Sequence, residues 1–137
     1  MSASSNYLEN AVLNHVLTAT AYTAPGTRYL ALFTNTSGSA ATNLEAGTLS
    51  DEVTTSGSAY VRRTVTFAAA SSGTSATNAT VTFDAATANW GTITHVAVMD
   101  ASAGGNVLFW GAVTTSKTIE TGDTFQVSSG NLTVSLA

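Results

Sequence analysis

The chain has 137 residues, enough for one domain with a real hydrophobic core and too few for a comfortable second. Only 9% of it is charged, against roughly 25% in typical soluble domains. Four basic residues (Arg28, Arg62, Arg63 and Lys117) stand against eight acids. The resulting net charge of −4 argues against nucleic acid and anionic membrane surfaces, which draw on clusters of Lys and Arg.

Polarity returns as Ser and Thr, roughly 30% of the chain. Thr favours strands while Ser and Gly favour turns, so β-structure with polar, uncharged faces is expected. Sparse charge also removes a usual barrier to association. No cysteine is present, which rules out disulfides and thiolate metal sites. The N-terminal MSASSNYLEN lacks the basic and apolar regions of a secretory signal, and no run of about 18 apolar residues offers a membrane span.

Leu8, Ala11, Val12, His15 and Val16 recur at three- and four-residue spacing, one apolar stripe on a helix expected over residues 6 to about 17. Ser5 or Asn6 can cap it, and Glu9 suits its first turns. Pro25-Gly26 marks a turn, and RYLALF over residues 28–33 is a first apolar strand. Residues 34–58 show no sustained period and read as a long, mobile surface excursion. YVRRTVTF follows, with Val61, Val65 and Phe67 expected to share a face with Arg63. In ATVTFDA, Val81 and Phe83 point one way and the threonines the other.

THVAVMD and VLFWGAV flank ASAGGN, a strong hairpin pattern. Both strands are apolar on both faces, so this hairpin is expected at the buried centre of the sheet. KTIETGDTFQV turns at Gly122-Asp123, and NLTVSL closes the chain. One short N-terminal helix followed by about seven or eight strands predicts a mainly β domain spanning residues 1–137. An antiparallel β-sandwich of jelly-roll or immunoglobulin-like kind fits best.

Chemistry is scarce. His95 and Asp100 lie five apart in one apolar stretch, an odd offset that sends them to opposite faces roughly 16 Å apart. No nucleophile elbow, phosphate-binding loop, dinucleotide fingerprint or His pair at metal spacing occurs. Paired acids for glycoside hydrolysis would have to come from Asp84, Asp100, Glu120 and Asp123, mostly turn positions where Asp caps a backbone N–H. Asp100, Ser102 and Asn106 could offer oxygens to calcium, but one carboxylate is too little charge, and the loop reads as a Gly-rich turn. His15 and His95 read as structural. No catalytic residue, cofactor or metal is therefore expected, and the chain is read as a non-enzyme. Trp110, between Phe109 and a strand continuation, is the expected core anchor, while Trp90 beside a Gly turn is less committed. Arg63 should find a carboxylate, Asp84 or Glu120 in its own chain or an acid on another subunit.

The strings SNYLENAVLNHVLTATAYTAP, TRYLALFT, YVRRTVTF, ATANWGTITHVAVMDASAGGNVLFWGAV and KTIETGDTFQVSSGNLTVSLA resemble a family of small tailed-bacteriophage virion proteins. Members are labelled phage tail fibre proteins, and relatives act as decoration or cement proteins on capsids. WGTITH followed by the Gly-rich hairpin is the most specific piece. The resemblance implies a virion structural role, made in the host bacterial cytoplasm, with no catalytic residue to carry over.

A fibre shaft would show repeats or heptads, and none is present, so the shape favours a decoration or cement protein on the capsid exterior that bridges coat subunits. A tail fibre or baseplate module that binds host glycan is the alternative. The expected partners are the major capsid protein, or tail proteins, and copies of the chain itself in a homotrimer. Tyr7, Leu8 and Val12 on the helix, with Arg62 and Arg63, are the expected interface residues.

Overall fold

The computed structural model describes residues 3–136. In chain order the elements are β1 (Ala3–Ser4), α1 (Asn6–Leu17), β2 (Arg28–Phe33), α2 (Ala40–Ala46), β3 (Arg63–Val65), β4 (Thr74–Ala76), β5 (Val81–Thr82), β6 (Gly91–Met99), β7 (Val107–Ile119), β8 (Gln126–Val127) and β9 (Thr133–Ser135). The predicted helix and first strand appear with their expected bounds. Eight strands follow α1, and the additional β1 precedes it.

Local chemistry explains where α1 starts. Ser5 is extended and its hydroxyl accepts from the Leu8 N–H at 3.3 Å, an N-cap. The same serine is fully buried: its hydroxyl donates to the Val107 carbonyl and its N–H to the Leu108 carbonyl at 3.0 Å. One residue thus caps the helix and ties its N-terminus to β7.

A five-stranded antiparallel sheet runs in the order β1-β7-β6-β2-β3, with the β6–β7 hairpin inside it as expected. Leu30 and Leu32 of β2 pair with Val98 and Val96 of β6, so all four present one face. That face packs on Val81, Phe83, Phe125 and Leu132, which come from the regions of two short two-stranded sheets, β5-β8 and β4-β9. The layering is that of an antiparallel sandwich whose second layer is divided in two. Ala31, Phe33, Ala97 and Met99 occupy the opposite face and are covered by Leu44 of α2, with Leu49 and Trp110 beside them. Burial on both sides is why β2 and the hairpin carry apolar residues without alternation.

Residues 34–58 depart from the expected irregular surface excursion. They contain α2, whose Ala40 and Leu44 are buried, and they bury Asp51 and Val53 as well. The signals were short ones: a seven-residue AATNLEA run in which the Ala, Leu and Glu positions favour helix while Thr42 and Asn43 do not, then Gly47 at φ 81°, where a left-handed C-terminal cap favours glycine. A helix of two turns shows too few apolar positions to establish a period.

The YVRRTVTF expectation also needs correction. Regular pairing covers only Arg63–Val65, and Val61 is exposed. Ala59 has φ 60°, so the chain turns sharply just before this stretch and the period-two pattern does not extend back to residue 61. Arg63 does share the inner face with Val65, opposite Leu30 in register.

Candidate assembly surface

The two adjacent arginines meet different fates. Arg62 is 7% exposed and forks onto Glu52, with Nε and one terminal nitrogen each 2.7 Å from a carboxylate oxygen. Its other terminal nitrogen donates to the carbonyls of Ala101 and Gly104, both at 2.8 Å, in the β6–β7 loop. Tyr60 donates to Glu52 at 2.8 Å and accepts from the Leu32 N–H at 3.0 Å. Burial alone would lower the Arg62 pKa, but the Glu52 hydrogen bonds and charge outweigh it and raise it. Burial, with Glu52 adding to it, pushes the Tyr60 phenol well up. This cluster locks the hairpin loop to the strand layer. Arg62 is therefore committed to partners inside its own chain. Arg63 pairs with Asp84, one of the two acids expected for it.

Asp100 is also consumed locally. It accepts from the Asn106 N–H at 2.7 Å and from the Asn106 side-chain amide at 2.9 Å, closing the Gly-rich turn. Asp123 accepts from the Glu120 N–H at 2.9 Å, the capping role expected of a turn aspartate. His95 hydrogen-bonds Thr94 at 2.8 Å, and His15 accepts from the Tyr22 N–H at 3.1 Å. Among the described residues no three His, Asp or Glu side chains gather as metal ligands would, and no helix is long and apolar enough to cross a membrane.

The tryptophans exchange their expected roles. Trp90 is 4% exposed, donates to the Ser58 carbonyl at 2.8 Å, and meets Tyr60 and Phe83 edge-on at 5.5 and 6.3 Å. Trp110 is half-buried on the α2 side, where its indole donates to Glu45 at 2.8 Å. The Gly turn beside Trp90 does not release the ring to solvent. It swings the ring under the loop carrying Ser58.

Among the described residues Arg63 Nε is the buried polar side-chain atom left without a hydrogen bond, and on the exterior it is the exposed apolar surface that stands out. On α1 only Leu8 is buried, where it joins the core of its own chain. Val12 is half-buried against the core, and Tyr7 is 41% exposed. Leu13, Val16 and Leu17 are exposed by 54%, 70% and 73%, a patch that the stripe reading did not include beyond Val16. Elsewhere an apolar groove of about 350 Å³ opens between β4-β9 and the β6–β7 end of the large sheet. A separate cleft of about 540 Å³ is lined by hydroxyls of Thr34, Thr36, Thr92 and Thr94 beside Asp51 and Glu52.

The family model described as Podophage GP4 fiber I protein gp80 matches residues 3–135. The chain belongs to that family. Membership makes it a small tailed-phage virion protein of tail-fibre kind, as its sequence strings resembled. No curated protein matches it.

Proposed function

We propose that the chain is a structural module of the phage tail fibre that acts by assembling with copies of itself and with neighbouring virion proteins, without catalysis. The family match across residues 3–135 carries this reading. A concentration of exposed aliphatic side chains on α1, in a chain otherwise poor in charge, supports it. Few charges have to be desolvated when such a surface is covered.

A capsid-exterior position, bridging subunits of the major capsid protein, would use the same surfaces. The compact sandwich favoured it on shape, and the fibre description of the family shifts the preference to the tail. Reconstruction of the intact particle by cryo-electron microscopy tests the choice. Density for the sandwich on the tail is expected, and density confined to the capsid lattice would overturn the fibre assignment.

Host-glycan binding is a second reading, favoured by the hydroxyl- and carboxylate-lined cleft beside Thr92 and Thr94. Titration of host surface polysaccharide into the protein should then give binding that Thr92→Val and Thr94→Val weaken together. Unchanged affinity in that double variant would remove the cleft from consideration.

A further inference from the structure

We propose that copies of this chain associate head to tail, with the exposed end of α1 from one copy seated in the apolar groove of the next. The proposal rests on the self-assembly reading above and names the two surfaces that meet.

Among the described residues six large apolar side chains are exposed: Tyr7, Leu13, Val16, Leu17, Val61 and Leu136. Four of them lie on α1, and Leu136 lines the groove. Leu13, Val16 and Leu17 are spaced i, i+3, i+4, so they form one convex patch at the end of the helix. The groove is the matching concave surface, lined by Phe67, Val98, Leu108, Phe109, Val134 and Leu136. None of the three α1 residues lines the groove of its own chain. A helix laid into an apolar groove through such anchors is a recurrent mode of recognition.

Charge points to the same pairing. Arg28 also lines the groove, and among the described residues it forms no ion pair; its guanidinium donates to the Pro25 carbonyl at 3.1 Å. The end of α1 carries the partial negative charge of a helix C-terminus and has no Lys or Arg of its own. The Thr18 and Thr20 N–H groups both go to the Asn14 carbonyl, at 3.0 and 3.1 Å, so neither caps a later carbonyl of the helix. An incoming α1 terminus therefore brings apolar side chains for the groove and acceptors for Arg28.

Pairing of two α1 helices across a two-fold axis would cover the patch and leave the groove open. Strand addition on β7 is hindered by its irregular register, where four residues (113–116) oppose the single Thr94. A heterologous contact closes into a ring when its rotation allows, and the expected trimer is one such ring.

Sedimentation of the full chain tests the proposal with two variant sets. V16K/L17K blocks the helix end and R28E/L136K blocks the groove; circular dichroism and thermal melting report whether each is folded, and Leu17→Ser with Leu136→Ser serve if either is not. Wild type is expected to be oligomeric, and each variant to associate about tenfold or more weakly. Mixed in equal amounts, the two variants retain one working helix and one working groove between them, so a one-to-one dimer that grows no further is expected. A monomeric wild type would overturn self-assembly altogether. An oligomeric wild type with R28E/L136K assembling normally would overturn the groove alone, and a mixture that stays monomeric would overturn the head-to-tail arrangement.

Discussion

Arg62 shows how much one buried side chain organises. Its guanidinium serves Glu52 and two loop carbonyls at once, a demand only a planar fork with several donors meets. Arg62→Ala should cost about 3–5 kcal/mol in urea unfolding, because Glu52 would keep a largely buried charge without its partner. Arg62→Lys should recover only part, and Arg62→Leu with Glu52→Leu more than either single change; a double variant worse than both singles would contradict this. His95 adds a pH dependence. Burial holds its pKa below the ordinary 6.5, with Asp51 opposing, so the native ring stays neutral while the unfolded chain takes up a proton first. Its stability contribution is full above that ordinary value and falls as pH drops from there toward the native pKa. Asp51 has its pKa lowered from 3.8, chiefly by the Ser37 hydroxyl, so its contribution is lost only under stronger acid. Unfolding free energy measured from about pH 7 down to about pH 5 should decline, and His95→Gln should flatten that decline. A wild-type curve already flat there would refute the assignment.

Among elements, the β6–β7 hairpin depends most on one backbone position. Gly105 has φ 71°, and a Cβ there would lie 2.5 Å from an Asp100 carboxylate oxygen and 2.7 Å from the Ala101 Cβ. Gly105→Ala should therefore destabilise by about 1–3 kcal/mol, through backbone strain and loss of the Asp100–Asn106 closure. Hydrogen exchange should rise first in residues 100–106. Unchanged protection there would mean that the turn tolerates a side chain. The same loop supplies the carbonyls that Arg62 holds, so Gly105→Ala and Arg62→Ala are expected to be less than additive.

At the scale of the whole molecule, the charge-poor exterior separates two kinds of association. Contacts made by ion pairs weaken with salt, whereas aliphatic contacts do not. Self-association is expected to persist when ionic strength is raised well above physiological, with at most the small loss due to Arg28. Dissociation on adding salt, followed by sedimentation, would show that charge and not the α1 patch holds the copies together.

Features decided by neighbours in the chain were legible from the sequence alone. The bounds of α1 follow from Ser5 and a helical stripe, those of β2 from an apolar run after Pro-Gly, and the hairpin from Gly-Gly-Asn between two apolar strands. That Arg63 shares a face with Val65 and needs an acid was legible from strand parity, whereas the choice of Asp84 over Glu120 or another subunit was not. The rest depended on groups that meet across long separations. Arg62 reaches Ala101 and Gly104, Trp90 reaches Ser58, and Leu44 of α2 covers the outer face of a sheet whose strands lie on either side of it in sequence. Periodicity predicts which residues share a stripe, and it is blind to where the supporting surface ends. The sheet supports α1 at Leu8 and Val12 and not at Val16 and Leu17, so only the packed structure decided which part of one continuous stripe faces outward.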